Sequence, residues 1–296
     1  RAMEQVPERD GEILTAKGMG LRKMEKELVS IIVRTCNRPH ILREALESIR
    51  RQTYPNIEVV VAEDGANTAQ EMLETEFSDM NIRYACTGER KGRTVVGNLA
   101  LSMASGAYMN FLDDDDVLFP EHVEVLMEAL SGAKERAAYS VAYESVAKYD
   151  DKKRGFREYK RKIRYRQPFN RTYLTFHNYI PIQSILFCRT LYEELGGFDE
   201  KLDILEDWDV WVRYSTKTDF IFVDQITSLY HVPTRKVKRD ADMYHAFGEV
   251  TKKFAGYEAR MNYYEINREL EYILEEIKTP KWKKVLKTLR DRVLYR

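Results

Sequence analysis

Four short apolar runs, each handing over to a segment with helical spacing, constrain this chain more than any other feature. Residues 28–33 (Leu-Val-Ser-Ile-Ile-Val) have the apolar, β-branched character expected of a buried parallel strand, and 57–62, 82–86 and 108–112 read as three further strands. After the first, Pro39 suits the opening turn of a helix, and Ile41, Leu42, Ala45, Leu46 and Ile49 recur on one face until about Gln52. A second helix runs through Phe77, and a third covers 95–104. Strand and helix alternating at this spacing predict an α/β fold with a mostly parallel, Rossmann-like sheet and helices on both faces. In such sheets ligands bind beyond the carboxyl ends of the strands. Three of those ends carry Thr35 and Asn37, Glu63 and Asp64, and the quartet Asp113, Asp114, Asp115 and Asp116.

The quartet poses an electrostatic problem. Four adjacent carboxylates repel, and the end of a buried strand demands compensation by a cation, by raised pKa values or by solvent. Oxygen ligands suit hard ions, so Mg²⁺ or Mn²⁺ shared with a substrate phosphate is one solution. A solvated acidic turn capping the next helix is the other.

Bulk properties narrow the function classes. With 48 Lys and Arg against 48 Asp and Glu, the chain gives no global support to nucleic-acid binding. Cys36, Cys86 and Cys188 are widely spaced and odd in number, which reads as reduced, buried thiols in a cytosolic protein. There is no apolar run of transmembrane length, and residues 1–27 are polar and charged, unlike a signal peptide. The first residue is Arg1 rather than Met, as in a part of a longer protein.

Beyond a helix from Pro120 to about Leu130 the pattern changes. Residues 139–166 alternate and include a dense basic stretch over 152–166, which reads as a hairpin or an excursion from the sheet. It is either a solvated face or a surface that steers an anionic acceptor or lipid phosphate. A strand at 182–187, a short helix at 190–195, a Gly196-Gly197 turn, an acidic-start helix from Leu205 to Arg213, and short strands at 220–223 and 226–230 follow, with His231 next. From about Ala241 the chain reads as helix to its end, the last part carrying Trp282, Leu286 and Leu289 on one face and Lys and Arg around the rest. That face either docks on the core or lies on an anionic membrane surface.

Taken in order, these segments resemble the family 2 inverting glycosyltransferases of the GT-A fold, in the nucleotide-diphospho-sugar transferase superfamily. Val-Ser-Ile-Ile-Val-Arg-Thr-Cys-Asn-Arg-Pro (29–39) is similar to the family's first-strand signature, and Val-Val-Ala-Glu-Asp-Gly (60–65) to its second acidic strand end. Gly92-Arg93 with Asn98, then the approach to 113–116, match the run into its DxD motif. Leu-Gly-Gly-Phe-Asp-Glu (195–200) and Glu-Asp-Trp-Asp-Val-Trp-Val-Arg (206–213) look like the acceptor-side motif with the base. The resemblance divides the chain into a lead-in (1–27), a GT-A domain (28–240, nucleotide half 28–117, acceptor half 118–240) and a C-terminal helical extension (241–296).

The resemblance implies transfer of a sugar from a nucleotide-diphosphate donor, UDP-sugar favoured, to a glycan or lipid-linked hydroxyl acceptor, in cell-surface polysaccharide or glycolipid synthesis. On the donor side it places Thr35, Asn37, Arg38, Asp64, Arg93, Asp113 and Asp114. An aromatic commonly follows the threonine in this family; Cys36 stands there, so ring stacking on the base is in question. Arg93 either contacts donor phosphate or pairs with one of the acids. Asp115, the second Asp of the DxD pair with Asp113, and His231 would hold Mn²⁺ or Mg²⁺, the alternative for His231 being an ordinary loop or core histidine. Asp207 is the expected base, or else a helix cap, with Gly197, Glu206 and Trp208 on the acceptor side. A cytoplasmic enzyme is implied, peripheral on the inner membrane face if the C-terminal basic helix binds lipid. Two other classes compete. The 111–117 run also fits the signature of haloacid-dehalogenase-type phosphohydrolases, with Asp113 as nucleophile, although that motif belongs on a first strand and here stands on the fourth. A non-catalytic nucleotide-sugar-binding module is the third reading, against which Asp113, Asp115 and Asp207 are all intact.

Overall fold

The computed structural model describes residues 26–234, 240–254 and 256. The expected alternation is present: β1 (Val29–Thr35), α1 (Pro39–Arg50), β2 (Ile57–Glu63), α2 (Gln70–Glu76), β3 (Ile82–Cys86), α3 (Arg93–Met103) and β4 (Tyr108–Asp113). β2 and β4 pair parallel to β1 on either side, and β3 pairs parallel to β2. Along β1 the side chains alternate. Ile31 and Val33 pack with Leu42, Leu46 and Leu73 on one face, and Ile32 packs with Val60 and Phe111 on the other. Both faces of β1 are buried, which is why it reads as a nearly continuous apolar run.

At the amino ends of these strands a buried carboxylate ties three elements together. Glu58 accepts from Ser30 Oγ (2.5 Å), Ser105 Oγ (2.7 Å) and the Gly106 amide (3.1 Å). Burial opposes its charge, but these donors and Arg83 hold its carboxyl below the usual range. A Cβ on Gly106 would lie 2.6 Å from Ser30 Oγ and 2.7 Å from the Leu28 carbonyl. Gly106→Ala is therefore expected to cost about 1–3 kcal/mol through backbone displacement, seen as a lowered Tm by circular dichroism.

Past the quartet the sheet changes character. β5 (Val117–Leu118) and α4 (His122–Leu130) lead into the long β6 (Ala137–Asp150) and β7 (Gly155–Ile163), an antiparallel hairpin that contains most of the basic stretch. Then come α5 (Arg171–Phe176), a 3-10 turn (Ile182–Ser184) where strand was expected, β8 (Ile185–Cys188), α6 (Arg189–Leu195), α7 (Glu206–Ser215), β9 (Phe220–Pro233) and α8 (Asp240–Lys253). The sheet order is β3-β2-β1-β4-β8-β6-β9-β5, with β7 on β6. β8 joins the halves antiparallel to both β4 and β6. The two strands expected at 220–223 and 226–230 are one: β9 shifts register against β6 around Val141 and so passes Asp224 and Gln225 without ending. The three thiols are free and half-buried rather than buried. The lead-in through residue 25 and the amphipathic tail beyond 256 lie outside the described residues.

Candidate active site

The parallel register sets Arg34 of β1 beside Asp113 of β4, and this pair is the centre of the site. Arg34 is buried, 5% exposed, and its Nε and Nη2 donate to Asp113 Oδ1 at 2.8 and 2.6 Å. Its Nη1 donates to Glu206 Oε1 at 3.0 Å, and its guanidinium lies over the Phe198 ring at 5.1 Å. Burial opposes the charge of Arg34, but Asp113 and Glu206 hold it above its ordinary value. Arg93, at the start of α3, approaches Asp113 Oδ2 (3.4 Å) and Glu206 Oε1 (3.5 Å). Of the two roles expected for Arg93, pairing with the acids is present. Burial works against Asp113 too, and Arg34 followed by Arg93 holds its carboxyl below the usual range.

The other three acids have different partners. Asp114 is buried, accepts from Thr35 Oγ1 (2.6 Å) and Arg38 Nε (2.8 Å), and is pushed by burial, against Arg38, up to about 7. Asp116 accepts the His231 amide at 2.9 Å; burial, then Asp115 and Asp113, push it well above the usual range. Asp115 lines the cleft with only a loose partner, Arg38 Nη1 at 3.8 Å, and burial plus Asp113 raise it. The quartet is thus neither a solvated turn nor four equivalent ligands.

The acceptor-side helix α7 starts where Leu205 takes a left-handed conformation (φ +64°), an uncommon geometry for a branched side chain. The turn sets Glu206 against Arg34 and leaves Asp207 on the cleft wall. Asp207 accepts from Asn178 Nδ2 (3.0 Å) and the Trp208 amide (2.8 Å). Burial, then the charge of Glu206, push it up to about 6, against Asn178, Trp208 and Arg34. It remains ionised at neutral pH and is more basic than an ordinary Asp. Trp208 is buried, donates to the Leu174 carbonyl (2.5 Å) and stacks on Phe247 of α8 at 5.3 Å.

The cleft, about 1420 Å³, is walled by Arg38, Arg93, Asp113, Asp115, Glu206, Asp207, Trp208 and His231 among the residues expected from the sequence. The remaining expected residues act behind the wall. Asp64 accepts the amides of Lys91 (2.6 Å) and Gly92 (3.1 Å) and so pins the loop that presents Arg93. Asn37, at φ +51°, accepts the Ala66 amide (3.0 Å). Gly197 packs against Asn98 and Leu101, where a Cβ would come within 2.7 Å of Leu101 Cδ1; it lies in a packed turn and does not line the cleft. Two residues escaped the sequence reading. Arg34 had a signal, a lone charge closing an apolar strand; Asn178, in an irregular loop, had none.

A match to the family model described as Glycosyl transferase family 2 runs over residues 30–195, more than half of the chain. The chain belongs to glycosyl transferase family 2. An uncharacterised glycosyltransferase of Methanocaldococcus jannaschii is 26% identical over 222 residues, 72% of this chain and 73% of that protein. The Staphylococcus aureus TarS 1–349 structure in complex with UDP-GlcNAc superposes with a TM-score of 0.61 at 16% identity, covering 79% of this chain and 68% of that one. A mannosyltransferase of Pyrobaculum calidifontis, solved with GDP-Man and Mn²⁺, gives 0.54 at 20% identity over 80% of this chain and 67% of its own. The fold is therefore the GT-A type, and the protein is a glycosyltransferase.

In this glycosyltransferase the donor set fits a divalent ion only in part. Asp113 and Asp114 are occupied by guanidinium groups, leaving Asp115 as the available carboxylate. His231 directs Nδ1 at the Asp115 carbonyl and stacks on Phe156 at 3.9 Å, so Nε2 is the ring's lone-pair nitrogen. No group of three or more His, Cys, Asp or Glu among the described residues could hold a metal.

Proposed function

We propose that the cleft binds a nucleotide-diphosphate sugar, UDP-sugar favoured, and transfers the sugar with inversion to a hydroxyl of a glycan or lipid-linked acceptor. The observation that carries this is the Arg34 bridge, which sets the Glu206–Asp207 start of α7 directly against the acidic end of β4. Arg93 and Arg38 supply the cations facing the cleft for phosphate oxygens. Asp115 and Nε2 of His231 would hold Mn²⁺ or Mg²⁺, which when bound supplies Lewis-acid stabilisation of the leaving diphosphate. Asp207, oriented by Asn178 and the Trp208 amide, takes the proton from the acceptor hydroxyl as the hydroxyl oxygen bonds to the anomeric carbon and the bond from that carbon to the diphosphate oxygen breaks. Behind the wall, Thr35, Asn37 and Asp64 shape the corner for the base and ribose. A phosphohydrolase reading gains nothing from Asp113, whose Oδ1 and Oδ2 both face guanidinium groups.

No helix of the described residues is long and apolar enough to cross a membrane. A cytoplasmic location, and an acceptor destined for the cell surface, go with this reading as parts of the proposal. The test is to incubate the protein with Mn²⁺ and a panel of nucleotide sugars. Nucleoside diphosphate released without inorganic phosphate, from UDP-sugars above others, is the expected result. Phosphate released from an aryl phosphate, and blocked by Asp113→Asn, would overturn it.

A further inference from the structure

The β6–β7 hairpin concentrates charge in a chain that has none overall. Residues 148–166 hold ten Lys or Arg and three Asp or Glu, against a whole-chain balance of zero. Part of this is neutralised internally. Buried Glu144 takes Lys162 (2.9 Å) and Arg164 (3.0 Å), Glu158 takes Arg161 (2.8 Å), and Asp224 takes Arg166 (2.6 Å). Lys148, Arg157 and Lys160 have no ion-pair partner among the described residues, and all three are exposed.

The register makes this arrangement costly. Lys148 of β6 stands directly opposite Arg157 of β7, a like-charge cross-strand pair that destabilises a hairpin. Lys160 is opposite Val146, on the same face two positions along β6 from Lys148. Protection of the free β7 edge explains cations on β7. It does not explain Lys148, which sits on the inner strand and lines the same cleft as Asp207, together with Arg164. The cationic face therefore starts at the cleft wall and runs outward along the hairpin.

We infer that this face is a docking track for an acceptor of one kind, an anionic polysaccharide, whose repeated negative groups lie along the track while its terminal hydroxyl reaches Asp207. The inference rests on the transferase reading above and names its acceptor class. A bilayer is the poorer occupant, because Tyr159 is the one large apolar side chain exposed on the described hairpin, and interfacial binding needs an apolar face as well as charge.

The test is fluorescence anisotropy of a labelled polygalacturonate oligomer with the full chain, neutral dextran and anionic phosphatidylglycerol vesicles serving as the other probes. Wild type should bind polygalacturonate with an affinity that falls steeply with salt, and should ignore dextran. Lys148→Glu/Lys160→Glu should weaken binding about ten-fold or more. The charge-matched Lys134→Glu/Lys217→Glu, which alters exposed positions just before the opposite ends of β6 and β9, should change it by less than about two-fold. Equal losses in both variants, no loss in the first, or binding to vesicles in place of the glycan would overturn the track. Nucleoside diphosphate release from the donor panel, measured on the same wild-type preparation, separates the two readings. Its absence counts against the transferase, whereas release without selective glycan binding counts against the track alone.

Discussion

Asp207→Asn should lower sugar transfer by about 10²–10⁴-fold while donor affinity stays within about two-fold, because the lost group takes a proton only in the transition state. Asn keeps the shape that Asn178 and the Trp208 amide recognise but cannot accept a proton. The pH profile should carry the same signature. Asp207 is pushed up to about 6, by burial first and by Glu206 second, so transfer should fall about ten-fold per unit as pH drops below 6. An ordinary Asp would hold its activity well below that. The stability effect has the opposite sign. A carboxyl whose folded pKa lies above its unfolded value favours folding when protonated, and the folded state loses that advantage as pH rises from about 4 through 6. At neutral pH its ionised form therefore costs stability, on the order of 1–2 kcal/mol after allowance for its partial exposure. Asp207→Asn should melt no lower than wild type at pH 7, and higher if Asn178 turns its amide to suit. Initial rates of nucleoside diphosphate release, nucleotide calorimetry and thermal melts check all three. Near-normal turnover in the variant would remove Asp207 from the base role.

How much of this could be seen in the sequence depended on range. The first four strands and their helices were legible because period and burial are local properties: Ile31, Ile32 and Val33 are apolar in succession since both faces of β1 are covered. The acidic strand end was legible for the same reason. What each acid does was not. Asp113 through Asp116 are four identical letters whose roles are assigned by Arg34, Arg38, Arg93 and His231, between about 20 and 116 residues distant in the chain. Asp64 and Gly197 have structural contacts that the motifs do not express. Asp64 accepts the 91–92 amides and Gly197 lets α3 approach a turn, matters of long-range packing. Residues 220–230 read as two short strands because Asp224 and Gln225 interrupt the apolar run; in the sheet a bulge absorbs them.

Arg34 has the second large expected effect, and one that joins fold to chemistry. It is the buried cation between two buried acids, and its removal leaves Asp113 and Glu206 facing each other with only the half-exposed Arg93 between them. Arg34→Gln should cost about 3–5 kcal/mol, the usual penalty for stripping one partner from a buried ion pair. For a domain of this size that is a fall in Tm of roughly 6–20 °C. Arg34→Lys keeps the charge but cannot make three directed bonds to two carboxylates, so it should recover only part of the loss. Lost stability alone would leave the acid limb of the rate profile where it was. Arg34 also opposes protonation of Asp207, though as the smallest of the influences on it. Without the guanidinium, the pKa of Asp207 should rise, and the acid limb of transfer should move from about 6 to higher pH in Arg34→Gln but little in Arg34→Lys. Such a shift, measured below the melting point of each variant, identifies Arg34 as the residue that poises the base as well as placing it. Unchanged profiles in both variants, alongside lowered Tm, would confine it to holding β4 and α7 together.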